Sequence, residues 1–185
     1  MDLASLQKTA FRHLQRYAAT SEQLRRVLDR SLQRAMHRTE DPDARPDPEQ
    51  VRADIAVVVA RMAELGMVDD RKLAFSLARE LMRAGSSVPL VRMKLRSKGV
   101  PGDLLDEAIL AAQETSRDAG IDPDLAAAAA YARRRRLGPF RRSPEERAER
   151  RQKDLAALAR RGFGYGVATR VIDVDDAAEL PQPAW

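Results

Sequence analysis

The chain has 185 residues, no cysteine and two histidines, and its 33 basic and 28 acidic residues give a formal net charge of +5. With 44% hydrophobic and 33% charged residues, it is too apolar for a disordered chain and too charged for a membrane span. The lack of cysteine excludes disulfides, thiolate nucleophiles and cysteine-ligated metal sites. The sequence shows no membrane span and no signal peptide, so we expect a cytoplasmic protein.

The first 50 residues predict two helices followed by an acidic loop. Thr20 or Ser21 is placed to cap the second helix, which we expect to run on to about Arg38. Residues 39–50 contain three prolines, five acids and one arginine, which predicts an exposed loop. Apolar residues at spacings of three and four mark the inner face of each helix: Leu3, Leu6, Ala10, Leu14 and Tyr17 in the first, and Leu24, Val27, Leu28, Leu32 and Ala35 in the second.

Seven further helices follow in the rest of the chain. The alanine-rich helix should reach about Arg136 and the next one about Arg161, and a short last helix holds Val167 and Ile172. No segment alternates as a strand does, so the sequence predicts an all-α fold of nine helices. Capping residues and prolines mark the helix starts, and glycines mark the ends: starts at Asp47–Pro48, Asp69 or Asp70, Pro101, Asp122–Pro123 and Ser143–Pro144, and ends at Gly66, Gly85 and Gly99.

An internal repeat relates two parts of the chain at a constant offset of 63 residues. Leu95, Lys98 and Gly99 recur as Leu158, Arg161 and Gly162, and the apolar residues that follow each glycine recur as well. Such a glycine ends a helix at positive φ. The first third shows the pattern with Leu32 in place of the glycine. We therefore predict three tandem three-helix modules in an elongated, curved array, comprising residues 1–66, 67–119 and 120–174, with a frayed tail at 175–185.

Several of these motifs resemble the RecX family of regulatory proteins. The motifs are Leu65–Ala74, the Lys-Gly-Val turn at 98–100, Arg160–Phe163, and Leu14–Tyr17 followed by Ser21–Leu24. The resemblance covers roughly residues 8–174. It implies a non-enzymatic regulator of DNA repair that lodges in the groove of the filament formed by the RecA recombinase on single-stranded DNA. There it would block filament growth, ATP hydrolysis, strand exchange and co-protease activity.

Basic residues are concentrated in two parts of the chain. Residues 1–38 carry a net charge of +5 and residues 131–161 a net charge of +8, and 28 of the 33 bases are arginine, which suits phosphate and carboxylate contacts. The first region is equally well explained as a solvated helix face. The second contains six bases without an intervening acid, which favours a binding surface. Our predicted partner-binding residues are Arg92, Lys94, Arg96, Lys98, Arg133, Arg134, Arg135, Arg136, Arg141 and Arg142.

No residues form a recognisable active site, so we expect a protein that is not an enzyme and needs no cofactor or metal. We also expect a monomer. His13 and His37 are 24 residues apart, which is not a metal-ligand spacing. The glycines at 162–166 lack the strand and the Lys-Ser/Thr pair of a phosphate loop, and Asp69 and Asp70 are placed to cap a helix. Two alternatives to a RecA regulator remain open: a general nucleic-acid-binding helical protein, and a helical scaffold for acidic protein partners.

Overall fold

The computed structural model describes residues 2–38 and 45–181, apart from the side chain of Thr115. These residues form nine α-helices and no strand, which confirms the all-α prediction. The helices are α1 (Leu3–Leu14), α2 (Ser21–Arg38), α3 (Pro48–Glu64), α4 (Asp70–Arg83), α5 (Val88–Ser97), α6 (Gly102–Asp118), α7 (Pro123–Arg135), α8 (Pro144–Arg160) and α9 (Tyr165–Ile172).

The helix starts lie where the capping residues predicted them. Thr20 and Gln23 form a reciprocal capping pair at α2. The Thr20 hydroxyl accepts from the backbone N–H of Gln23, and the side-chain oxygen of Gln23 accepts from the backbone N–H of Thr20. Asp69 rather than Asp70 caps α4 by accepting from the Lys72 amide at 2.8 Å. The carboxylates of Asp47 and Asp122 and the hydroxyl of Ser143 cap α3, α7 and α8.

Two expectations about helix ends differ from the structure. The prediction that Tyr17 lies on the inner face of the first helix is wrong, because α1 ends at Leu14 and the Tyr17 residue is 61% exposed. In the tail expected to fray, Ala177–Glu179 form a 3-10 turn and Leu180 is buried in a core. Residues 39–44 of the acidic loop and residues 182–185 of the tail lie outside the described residues.

The chain divides into two compact units. The first unit comprises Met1–Leu73 and Ser97–Pro101. In it α1, α2 and α3 pack on one another around a core of ten buried residues, and the α2 leucines lie at the centre of this core because they recur every fourth residue. The core residues are Leu6, Ala10, Leu24, Leu28, Leu32, Val51, Ile55, Val58, Met62 and Val68.

The second unit comprises Ala74–Arg96 and Gly102–Trp185. Its core is built mainly on α7, α8 and α9, with α6 packed against α7. Five buried alanines make α7 slim, so that neighbouring backbone can approach it closely. Gly85, which follows α4, lies against the backbone of Tyr131 on α7: a Cβ atom at Gly85 would stand 2.7 Å from the Tyr131 nitrogen.

The two glycines of the 63-residue repeat share a backbone conformation and a hydrogen bond to the carbonyl that precedes them. Gly99 has φ of +78° and Gly162 has φ of +83°, which confirms the predicted positive φ at both. In the first unit, the Thr20 hydroxyl donates to the carbonyl of Lys98, just before Gly99, at 2.5 Å. In the second unit, the Ser87 hydroxyl donates to the carbonyl of Arg161, just before Gly162, at 2.6 Å. A helix-capping hydroxyl therefore meets the end of a later helix in both places.

Candidate partner-binding surface

The predicted basic run begins where α7 ends. Arg136 terminates the helix in the left-handed conformation, with φ of +54°, and Leu137 then enters the core. Gly138 also has a positive φ, and a Cβ atom there would lie 2.8 Å from Cα of Ile172. The chain therefore turns sharply at Gly138, and this turn separates Arg133–Arg136 from Arg141 and Arg142 along the chain.

Tyr131 organises the arginines at the end of α7. The guanidinium of Arg161 lies 4.7 Å from the centre of the Tyr131 ring and that of Arg134 lies 5.9 Å from it, which are cation–π distances. Burial opposes ionisation of the Tyr131 phenol, but hydrogen bonds from Arg135 and Arg161 outweigh burial, so the pKa of Tyr131 lies below its ordinary value. The guanidinium of Arg133 lies 5.2 Å from the centre of the Phe140 ring. Four arginines thus surround two aromatic rings.

Arg141 is held inside the second unit by Asp154 of α8. Its Nε and Nη2 atoms donate to the two Asp154 oxygens at 2.7 and 2.6 Å, and its Nη1 atom donates to Glu146 at 2.8 Å. Asp154 is almost fully buried and also accepts from the Gly138 amide at 2.9 Å. The hydrogen bonds with Asp154 raise the pKa of Arg141 above its usual range. Arg141 therefore fixes the turn after α7.

Unlike Arg141, Arg136 and Arg142 are not held by an acidic side chain among the described residues. Both side chains are exposed, and neither forms an ion pair with another described residue. Within the predicted run, the structure therefore separates residues with internal contacts from residues that face solvent.

The predicted residues on α5 lie on different sides of that helix. Arg92 pairs with Asp106 of α6, and Arg96 is exposed on the same side of α5, four residues later. Lys94 is half-buried and, at 100° per residue, lies about 200° around the helix from Arg92. Lys98 belongs to the first compact unit, unlike the other three.

The sequence analysis missed two residues of the Tyr131–Asp154 region. Arg161 was used only as part of the repeat, although it approaches Tyr131 more closely than Arg134 does. Asp154 carried a signal that could have identified it, because it lies four residues before Leu158 on the buried face of α8. An acid on an apolar helix face requires a partner.

The described residues contain neither a metal-binding cluster of side chains nor a membrane-spanning helix. In residues 2–38 and 45–181, no group of three or more histidine, cysteine or acidic side chains could hold a metal ion. No helix among them is both long and apolar enough to span a bilayer. Exposed arginines beside aromatic rings can instead bind phosphate or carboxylate groups.

Three relatives of the chain are named "Regulatory protein RecX". The protein of Myxococcus xanthus is 38% identical over 175 residues, covering 93% of this chain and 86% of the relative. The protein of Agrobacterium fabrum is 32% identical over 171 residues, covering 92% of this chain and 83% of the relative. The chain belongs to the RecX family. A third RecX, from Levilactobacillus brevis, is 31% identical over 162 residues and is longer, since the match covers 57% of it.

Membership in the RecX family confirms the resemblance read from the motifs. No family model matches the chain, and no solved structure matches it. The relatives are matched over nearly the whole chain, so RecX-like sequence extends through both compact units. All three relatives are named as regulatory proteins.

Proposed function

We propose that this chain inhibits the RecA recombinase by binding the filament that RecA forms on single-stranded DNA. Binding would oppose filament growth, ATP hydrolysis, strand exchange and co-protease activity. The observation that carries the proposal is the match to RecX proteins over 93% of the chain. In this proposal the chain acts as a monomer in the cytoplasm and is not an enzyme.

The basic surface of the second unit supplies the proposed contact. Arg134, Arg136 and Arg142 are exposed, and a nucleoprotein filament offers both acidic side chains and phosphates to them. We call these three residues the arginine contact set. Arg141 is left out because it is paired with Asp154. Arg92, Lys94, Arg96 and Lys98 form a second, separate proposal for filament contacts.

The test measures RecA-driven ATP hydrolysis on single-stranded DNA while the chain is titrated in. We expect the wild-type chain to slow hydrolysis, and a triple variant R134Q/R136Q/R142Q to require more protein for the same effect. If each exposed contact contributes about 0.5–1 kcal/mol, the concentration needed rises roughly 10- to 150-fold. Inhibition by the wild-type chain should weaken as salt rises, because charge contacts are screened.

A matched control removes the same charge elsewhere. Arg79, Arg83 and Arg150 are exposed and form no ion pair with another described residue, so R79Q/R83Q/R150Q loses three charges from other positions. This control variant should inhibit like the wild type. Equal inhibition by R134Q/R136Q/R142Q and R79Q/R83Q/R150Q would remove the arginine contact set from the proposal. A wild-type chain without any effect on RecA would refute the proposed function.

The three-module division is also part of the proposal. Thr20 with Lys98, and Ser87 with Arg161, repeat one hydroxyl-to-carbonyl contact at the two glycine turns. This repetition supports tandem modules at 1–66, 67–119 and 120–174. A repeated module offers the same kind of contact at successive positions along a filament of identical subunits.

A further inference from the structure

A row of arginines lies along the outer side of α2, in the first compact unit. Leu24, Leu28, Leu32 and Met36 point inward at intervals of four residues, and an arginine stands two residues after each of them. At 100° per residue, a step of two residues turns the side chain about 200° around the helix. Arg26, Arg30, Arg34 and Arg38 therefore face away from the core, and all four are exposed.

The acids of α2 leave most of this row uncompensated. Glu22 accepts from both Arg25 and Arg26 at 2.8 Å, and Asp29 accepts from Arg25 at 2.6 Å. Arg26 also donates to the carbonyl of Ser97. No ion pair joins Arg30, Arg34 or Arg38 to another described residue. We call these three residues the α2 arginine row.

Folding alone gives no reason for such a row. Like charges four residues apart destabilise a helix, and Arg30 and Arg34, like Arg34 and Arg38, are such pairs. The negative end of the helix dipole favours cations only in the last turn, which accounts for Arg38 but not for Arg30. The row therefore costs helix stability in the free chain.

The composition of the face indicates what covers it. None of the exposed large apolar residues of the chain lies on α2. Protein interfaces generally have an apolar or aromatic centre, whereas interfaces with nucleic acid are more polar and strongly positive. Four residues of helix rise by about 6 Å, so the row presents one guanidinium per 6 Å over about 12 Å. A regularly spaced polyanion fits this arrangement.

We propose that the α2 arginine row binds the phosphodiester backbone of nucleic acid without sequence preference. Each guanidinium would donate to phosphate oxygens, which positions the strand and reads no bases. The site is separate from the arginine contact set and needs no RecA. Single-stranded and duplex DNA present the same phosphate chemistry, and the experiment compares them.

The experiment measures binding of the full chain to a labelled oligothymidylate and to a labelled duplex by fluorescence anisotropy, without RecA, at several salt concentrations. We expect R30Q/R34Q/R38Q to bind at least about 10-fold more weakly at low salt. On the single strand, the slope of log K against log salt should fall by about 2, because each lost phosphate contact removes about 0.7. The control variant R79Q/R83Q/R150Q, with the same net charge, should retain the wild-type slope.

Two further measurements keep the result interpretable. Thermal unfolding of R30Q/R34Q/R38Q should show an unchanged or slightly raised midpoint, because like-charge repulsion is relieved. A lowered midpoint would mean that the row stabilises the fold, and would overturn the proposal. Competition with polyglutamate tests the other polyanion: if polyglutamate binds through the row and DNA does not, the partner is an acidic protein and the proposal is wrong.

The outcome is distinct from that of the proposed function. If the chain inhibits RecA, but R30Q/R34Q/R38Q and R79Q/R83Q/R150Q bind DNA equally well, the phosphate site is overturned and the proposed function is left intact. A chain that loses DNA binding in R30Q/R34Q/R38Q but never inhibits RecA supports the phosphate site and refutes the proposed function.

Discussion

Arg141 and Arg142 are adjacent arginines with different roles, which a pair of substitutions can separate. R141Q leaves the Asp154 carboxylate buried without its main partner, and breaking a buried ion pair costs about 3–5 kcal/mol. We expect R141Q to lower the free energy of unfolding by about 3 kcal/mol, and R142Q to change it by less than about 0.5 kcal/mol. Urea unfolding followed by circular dichroism measures both. Similar values for the two variants would contradict the assignment of Arg141 to the fold.

Asp173 supplies a prediction about pH. Its carboxylate accepts from Nε and Nη2 of Arg151, both at 2.7 Å, and these hydrogen bonds lower the pKa of Asp173 below its ordinary value. An acid with a lowered pKa stabilises the fold above its unfolded-state pKa, near 4, and this contribution disappears as the pH falls. We therefore expect D173N to lower the melting temperature at pH 7 and to have little effect near pH 3.

The control for Asp173 is an acid of the neighbouring helix. Glu149 on α8 is exposed and forms no ion pair with another described residue. E149Q should leave the melting temperature close to that of the wild type at both pH values. If D173N and E149Q change the pH dependence of melting equally, the Asp173–Arg151 pair does not stabilise the fold.

Residue roles were predictable from the sequence where they depend on near neighbours. The caps at Thr20, Asp47, Asp122 and Ser143 act over two or three residues, so the local sequence identifies them. The pairing of Arg141 with Asp154 spans 13 residues and depends on the turn at Gly138. The six-base run therefore appeared uniform in sequence, although the fold gives its members different partners.

At the scale of helices, the glycine turns combine a backbone requirement with a packing requirement. Gly66 has φ of +66° and open space around a hypothetical Cβ atom, whereas such an atom at Gly162 would lie 2.6 Å from Oγ of Ser87. G66A should cost about 1–2 kcal/mol, the strain of a left-handed residue. G162A adds a steric conflict of about 1–3 kcal/mol to that strain. Chemical unfolding of the two variants measures the difference.

A double variant tests whether Ser87 causes the extra cost at Gly162. S87A removes Oγ and its hydrogen bond to the Arg161 carbonyl, and should itself cost about 1 kcal/mol. Because it also removes the conflict, S87A/G162A should be less destabilised than the sum of the single variants by about 1 kcal/mol or more. Additive values would mean that the contact with Ser87 does not limit the size of residue 162.

The repeat shows how far the sequence determines the packing of elements. The 63-residue offset predicted positive φ at Gly99 and Gly162, because only a glycine ends a helix in this way at low cost. The hydroxyls of Thr20 and Ser87 that meet these turns are 78 and 74 residues away from the carbonyls they bind. Partners at such separations are set by the packing of helices, which periodicity alone does not specify.

For the whole molecule, the proposal that the chain acts by binding alone leads to one more expectation. Treatment with EDTA should leave the melting temperature and DNA binding unchanged, because no step of folding or phosphate binding in our account uses a metal. The purified chain should hydrolyse neither ATP nor DNA. The assays are thermal melting with and without EDTA, and product formation through successive purification steps. Hydrolysis that remains with the chain and disappears in a point variant would refute the proposal that this RecX protein acts by binding alone.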